Sequence, residues 1–282
     1  MKLLITGAAG MLGRDVMLAA GNAGHDVIAL DRARMDVTDA AAVRRQFDRE
    51  RPDMVVNCAA WTDVDGAEEA EAEAMAVNGT GAGNLAAAAT EVEASVVYVS
   101  SDYVFDGEKG GAPYVESDQP APLSAYGRTK LAGEEATAAA NPRHFIVRSS
   151  WLFGIGGGNF VETMLRLAAD HGEVLVVRDQ VGSPTYTWHL AHGIVRLVES
   201  LEHGIHHMAA AGACSWYEFA REIFEQAEVE CKVLSATTDM LGRPAPRPPY
   251  SALSSQREHA IELPPWQDGL AGYLAQREGG AQ

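Results

Sequence analysis

Only three cysteines, Cys58, Cys214 and Cys231, occur in the 282 residues. An odd number without paired or C-x-x-C spacing excludes a disulfide framework and a cysteine metal site, so reduced, structural thiols are expected. No apolar run reaches the roughly 20 residues that span a bilayer. No leader is expected, because Lys2-Leu3-Leu4-Ile5-Thr6 already reads as a strand. Basic residues are scarce: 22 Lys and Arg stand against 39 Asp and Glu, a net charge of −17. Binding a phosphate backbone needs clustered Lys and Arg, so no nucleic-acid partner is expected. No fixed-period repeat or low-complexity tract is present. What remains is an ordinary globular composition, 47% hydrophobic and 22% charged, expected in the cytoplasm and away from membranes.

The first half alternates short β-branched runs with helical patterns, which predicts an α/β fold with a Rossmann-type, doubly wound parallel sheet. Strands are expected over 3–6, 26–30, 54–57, 95–100 and 144–148, and helices over 11–23, 40–50, 80–91 and 125–140. The strands are apolar almost throughout, as in a sheet covered on both faces. From Trp151 the rhythm changes: a glycine-rich break at 154–158 precedes helices over 160–169, 190–201 and 216–227 and a strand over 174–177. The division expected is a dinucleotide-binding domain over 1–150, open to later segments, and a smaller C-terminal substrate-binding lobe over 151–282. Residues 242–249, rich in Pro and Arg, must be extended or a loop.

Gly7-Ala8-Ala9-Gly10-Met11-Leu12-Gly13 follows the first strand and opens a helix. Glycines permit the tight turn and let the backbone approach a pyrophosphate, whose charge then sits at the helix N-terminus. Asp31 ends the second strand, placed to accept hydrogen bonds from a ribose, whereas its neighbour Arg32 would neutralise a 2′-phosphate. The cofactor is therefore NADH or NADPH, with the preference open. Asp36 and Val37 stand where an adenine would pass, although the 36–38 region would serve equally to cap the next helix. Small side chains at Ala59 and Ala60, after Asn57, allow a cofactor to run close to the third strand.

Tyr126 and Lys130 lie four residues apart on one helix face. A free phenol titrates near 10, and a neighbouring Lys⁺ is expected to bring it down toward the working range. The fourth strand ends in Ser100-Ser101-Asp102-Tyr103, at the edge where parallel sheets gather ligands, so Ser101 is placed to hold a substrate carbonyl. Glycine loop, acid, serine and Y-x-x-x-K in this order resemble the extended short-chain dehydrogenase/reductase superfamily.

Further segments are similar to the dTDP-4-dehydrorhamnose reductase family: residues 57–65, Ser101 through Gly107, Arg148-Ser149-Ser150-Trp151, Asp179 through Thr185, and Arg243-Pro244-Ala245-Pro246-Arg247-Pro248. The resemblance implies reduction of the C4 ketone of a dTDP-keto-sugar. It implies Ser101, Tyr126 and Lys130 as the catalytic set, and Asp102, Tyr103 and Trp151 toward the sugar. It implies a cofactor held by Gly7, Gly10, Met11, Leu12, Gly13, Asp31, Arg32, Asp36, Val37, Ala59, Ala60, Trp61 and Thr62, with Tyr126 and Lys130. Ser101 replaces the threonine of many members and keeps its hydroxyl; Trp61 stands where a smaller polar residue or histidine is usual. Arg243 and Arg247 are expected to grip the substrate diphosphate, against the plainer reading that they pair with nearby acids. Trp188, Trp216 and Trp266 are expected in the core. His206 and His207, in a candidate strand, point to opposite faces and cannot share a metal. Some family members hold Mg²⁺ at a subunit contact, but no acidic cluster here is assignable to it; a homodimer is left open.

Two rivals stand beside this reading. A related sugar-nucleotide epimerase or 4-keto-6-deoxysugar reductase would share most of the site. A regulatory NADP-binding protein resembling the β subunit of methionine adenosyltransferase would share the fold without turnover. A 4,6-dehydratase is disfavoured, because Tyr103 stands where that chemistry places a glutamate.

Overall fold

The computed structural model describes residues 1–200 and 202–279. Strands β1 (Lys2–Thr6), β2 (Asp26–Leu30), β3 (Met54–Asn57), β4 (Ser95–Ser101) and β5 (His144–Ser149) alternate with α1 (Met11–Asn22), α2 (Ala40–Glu50) and a composite helical segment. That segment comprises α3 (Gly66–Glu69), α4 (Glu71–Met75), a π-helical turn at Ala76–Thr80 and α5 (Gly81–Glu91). Helix α6 (Ala125–Ala140) then leads into β5. Strands β4 and β5 each run one residue further than the sequence pattern indicated.

Past Trp151 come β6 (Leu152–Phe153), α7 (Phe160–Asp170), β7 (Glu173–Val177), β8 (Val181–Gly182), β9 (Thr185–Tyr186), α8 (Thr187–Ser200) and β10 (Gly204–His207). Strands β11 (Ala210–Ala211), β12 (Cys214–Ser215), β13 (Lys232–Ala236, paired with β7) and β14 (Leu263–Pro265) and helices α9 (Trp216–Gln226), α10 (Thr238–Leu241) and α11 (Trp266–Gly279) complete the described chain. Helix α8 begins three residues earlier than the pattern indicated, and its expected last residue, Leu201, lies outside the described residues. Residues 242–249 form no regular element.

The main sheet has six parallel strands in the order β10-β5-β4-β3-β1-β2. Period-two alternation splits its side chains between two cores. Leu3 and Ile5 of β1 join Val97, Val99 and Val147 against α1 and α8. Leu4 joins Val55 and Val96 against α2 and α5 on the other face. Each fully buried aliphatic side chain contributes roughly 1.5–3 kcal/mol of transfer free energy. Strand β2, at the edge, is only partly covered along most of its length.

A separate core fills the second lobe, where Phe153, Val161, Val174, Phe219, Trp266, Leu270 and Tyr273 pack together. Although α8 and β10 follow the glycine break, they pack with the first sheet: α8 beside α1, and β10 in register with β5 from Phe145 to Arg148. His206 and His207 of β10 are both buried on opposite faces, the first against Phe145 and the second against Phe105.

Candidate active site

The strand order reverses between β1 and β3, which opens a crevice at the carboxyl ends of those strands. Gly7 occupies it with φ +64°, and a Cβ there would stand 2.6 Å from the backbone of Cys58 and Ala59. The loops after β1 and β3 thus meet backbone to backbone, and Asn57 pins them: its Oδ1 accepts from Thr6 Oγ1 at 2.7 Å and from Ala59 N at 3.1 Å. Helix α1 starts at Gly10 without a side-chain cap, whereas α2, α6, α7 and α9 are capped by Asp39, Ser124, Asn159 and Ser215. The first amides of α1, on Met11, Leu12 and Gly13, are left for an anion. This cradle fits a dinucleotide pyrophosphate.

At the far end of the crevice, Asp31 turns inward to accept from Arg34 N at 3.0 Å. The Arg32 side chain is 87% exposed and reaches only Asp36, at 3.6 Å. Asp36 does not cap α2. It accepts from the Thr38 amide and hydroxyl, which hold its carboxyl below the usual range, and the cap is Asp39, which accepts from Ala41 N and Ala42 N. The turn from Asp36 to Asp39 puts Asp39, and not Asp36, one residue before the helix. Val37 is buried, its carbonyl held by Asn84 Nδ2 at 3.0 Å.

Ser101, Tyr126 and Lys130 converge at the end of β4. The Ser124 cap starts α6 so that Tyr126 faces the strand end, with its phenol in hydrogen-bonding reach of Ser101. Lys130 is buried one turn on; its Nζ donates to Val99 O at 2.7 Å and lies 4.3 Å from the Tyr98 ring centroid. The expected lowering of the Tyr126 pKa is not what burial produces here. Desolvation pushes the phenol up to about 12 against the Ser101 hydrogen bond, and brings the Lys130 ammonium down to about 7 against the pull of Glu134. Tyr126 is therefore a neutral phenol at physiological pH, the form that donates a proton.

Ser101 donates to Asp102 Oδ1 at 2.9 Å, and Ser251 donates to the other oxygen at 2.5 Å. Asp102, only 1% exposed, thus has both oxygens engaged by serines, and burial raises its carboxyl to about 6. It buttresses Ser101 in this arrangement. Tyr103 packs edge-on against Tyr126 at 5.5 Å between centroids. Arg247 lies beside the Tyr103 hydroxyl. Arg247 and Arg243 both contact Asp65 Oδ2, at 2.9 and 3.2 Å, and Ala245 N donates to Oδ1. Burial raises the Asp65 carboxyl, but these donors outweigh it and bring it down to about 2. The plainer pairing with an acid is what this structure contains, yet two guanidiniums on one carboxylate leave a positive excess.

Trp151 adopts φ 49° and stacks flat on Trp216, 3.5 Å between centroids and 5° between planes. Trp216 is thus the half-buried support of Trp151 and not simply core filler; Trp188 is also half-buried, and Trp266 is buried. Trp61 is half-buried and packs toward Tyr126 with Ala125. The residue that holds Trp61 escaped the sequence reading. Asn78, inside the π turn and fully buried, accepts from Trp61 N at 2.8 Å and donates to Trp61 O and Thr129 Oγ1. A polar amide in an otherwise alanine-rich helical stretch was its only signal, because such a side chain must find partners when buried. Ser251, distant in sequence from Asp102, carried no signal at all. The three cysteines are free, and among the described residues no group of three or more His, Cys, Asp or Glu could hold a metal.

Fold and site together define an enzyme of the extended short-chain dehydrogenase/reductase class. The family described as the RmlD substrate binding domain matches residues 1–278, and this chain belongs to it. The spore coat polysaccharide biosynthesis protein SpsK of Bacillus subtilis is 44% identical over 98% of both chains. The dTDP-4-dehydrorhamnose reductase of Mycolicibacterium smegmatis is 45% identical over 97% of this chain and 85% of that one. The crystal structure of dTDP-4-dehydrorhamnose reductase from Bacillus anthracis in complex with NADP superposes with a TM-score of 0.95. It is 38% identical, with 98% of this chain and all of that chain covered.

Proposed function

We propose that this chain reduces the C4 ketone of dTDP-4-dehydro-L-rhamnose to dTDP-L-rhamnose with NADPH or NADH. The observation that carries this reading is the convergence of Ser101, Tyr126 and Lys130 at the end of β4, beside the uncapped start of α1. The residue-level family resemblance and the named relatives support it. When bound, the reduced nicotinamide supplies the hydride. Tyr126 donates its phenolic proton to the developing alkoxide, Lys130 stabilises the phenolate left behind, and Ser101 orients the ketone oxygen by turning its hydroxyl proton to it from Asp102. Incubation of the pure protein with the keto-sugar nucleotide and each reduced cofactor, with the product epimer assigned by NMR, tests the reading. Cofactor oxidation giving a different C4 epimer would move the assignment to another 4-keto-6-deoxysugar; no oxidation would defeat it.

Asp31 and Arg32 set the cofactor preference in this reading. Asp31→Ala removes a carboxylate that repels a 2′-phosphate, and the exposed Arg32 is free to swing onto that phosphate. The ratio of kcat/KM for NADPH to that for NADH is expected to rise about tenfold, one charge-assisted contact. An unchanged ratio means that Asp31 does not face the ribose.

The positive excess at Arg243, Arg247 and Asp65 would receive the substrate diphosphate, in a proline-stiffened loop that loses little entropy on closing. Arg247→Ala is expected to raise the keto-sugar KM by about tenfold or more while leaving the KM for NADPH unchanged. Asp65→Asn, which keeps both guanidiniums, should disturb the KM less. An equal loss in Asp65→Asn and Arg247→Ala would make the ion pair a loop anchor only.

A further inference from the structure

Behind the catalytic lysine lies a second buried polar cluster that the chemistry above does not use. Glu134 is one turn beyond Lys130 on α6, with 3% of its surface exposed. Its Oε1 accepts from Arg148 Nε at 2.9 Å and from Ser100 Oγ at 2.5 Å, and its Oε2 accepts from Arg148 Nη2 at 2.6 Å. Arg148, 1% exposed on β5, lies over the Phe105 ring, with its Nη1 3.4 Å from His207 Nε2. The carboxylate therefore ties α6 to β4 and β5 at the level of the lysine.

The groups around Lys130 identify what this carboxylate does. From the loop after β3 comes Cys58, and from β4 comes Tyr98; burial pushes the first up to about 12 and the second above its ordinary value, so both stay neutral. Tyr126, on the lysine's own helix, is neutral as well, and Asp102 sits beyond it, acting on the phenol. Direct bonding at Nζ goes to a neutral carbonyl, Val99 O. Glu134, one helical turn from Lys130, is the anion that acts on the ammonium. The strand that receives the lysine at Val99 O donates to this carboxylate from the next residue, Ser100, while Arg148, beside His207, opposes it. A buried ion pair is weak evidence for stability, since apolar replacements of similar volume are often neutral. Its placement beside a catalytic cation calls for another role.

We propose that Glu134, held by Arg148 and Ser100, is a positioning residue that keeps Lys130 charged and aligned for the reduction. The inference rests on the role given to Lys130 above. The sign follows from electrostatics: a nearby carboxylate favours the ammonium, a nearby guanidinium disfavours it, and activity that needs the ammonium falls as pH rises through the lysine's pKa.

The test compares pH profiles of kcat. Glu134→Gln alone strands the Arg148 charge in the core and is expected to fold poorly, so the informative variant is Glu134→Gln/Arg148→Met, which removes both charges. It should unfold within a few degrees of the parent protein, while the basic limb of kcat moves to lower pH by about one unit or more. Arg148→Met alone strands the carboxylate as Glu134→Gln strands the guanidinium, so its limb is read on protein that a thermal melt shows to be folded, where the unopposed carboxylate should move it to higher pH. NADPH binding, followed by fluorescence at both ends of the limb, should track the same shift. A folded double variant whose limb stays in place, or an Arg148→Met limb that moves down, overturns the assignment. Failure of the parent protein to reduce the keto-sugar would instead defeat the function proposed for the site.

Discussion

Tyr126→Phe is expected to lower kcat for ketone reduction by about 10² to 10⁴, the range for loss of a positioned proton donor, without weakening NADPH binding. The ring would keep its edge-on packing against Tyr103 and its place beside Trp61 and Ala125. Only the hydroxyl disappears, and no neighbour can replace it. Ser101 shares its proton with Asp102, and the Lys130 ammonium, which also donates to Val99 O, stabilises the phenolate and does not take the place of the hydroxyl. Because burial holds the phenol up to about 12, the donor is protonated through the whole working range. The forward reaction should therefore show no basic limb from Tyr126, and the limb that appears belongs to Lys130. The checks are single-turnover reduction, NADPH titration by fluorescence and a thermal melt. Near-normal turnover in a folded Tyr126→Phe protein would remove the residue from the mechanism.

The other large effect is expected at the dinucleotide loop. Gly7→Ala places a methyl 2.6 Å from the Cys58 and Ala59 backbone at a residue with φ +64°. The left-handed conformation costs an L-residue about 1–2 kcal/mol, and overpacking typically adds about 1–3 kcal/mol. The far side cannot yield readily, because Asn57 fixes it through Thr6 and Ala59. A fall in Tm of roughly 4–20 °C follows from the usual 2–4 °C per kcal/mol for a domain of about this size. Displacement of the loop should also weaken NADPH binding by about 10² or more, since the amides of α1 would no longer converge on the pyrophosphate. Gly21→Ala is the control. It lies in the same helix, has nothing within 4 Å of its added Cβ, and is expected to leave binding intact and Tm equal or slightly raised. Retained NADPH affinity in Gly7→Ala would show that the loop does not hold the cofactor.

Much of the scaffold was legible in the sequence because its causes are local. The bounds of β2, β3, α2 and α6 coincide with the hydrophobic period, although the cap of α2 is Asp39 and not the 36–38 region. The glycine loop announced itself through spacing between a strand and a helix. The tyrosine and lysine shared a helix face by arithmetic alone. The segment from α3 to the π turn was not legible, since its alanines, glutamates and glycines offer no contrast between faces. Nor did the four residues of β10 reveal their place, because pairing with β5 across a long separation put them in the first sheet.

What the sequence determined alone was the alternation of β1 to β5 with α1, α2, α5 and α6, and the set of chemical groups brought to the carboxyl edge of the sheet. Their states were decided only by the tertiary structure. Spacing put a cation near Tyr126 and pointed to an acidified phenol, but enclosure of both groups raised one pKa and lowered the other. Asp102 is engaged by Ser101 on one oxygen and, on the other, by Ser251, 149 positions away in the chain. Arg243 and Arg247 met Asp65 although about 180 positions separate them in the chain. Desolvation and through-space charge depend on every atom within several ångströms, most of them remote in sequence. No local pattern of residues encodes them.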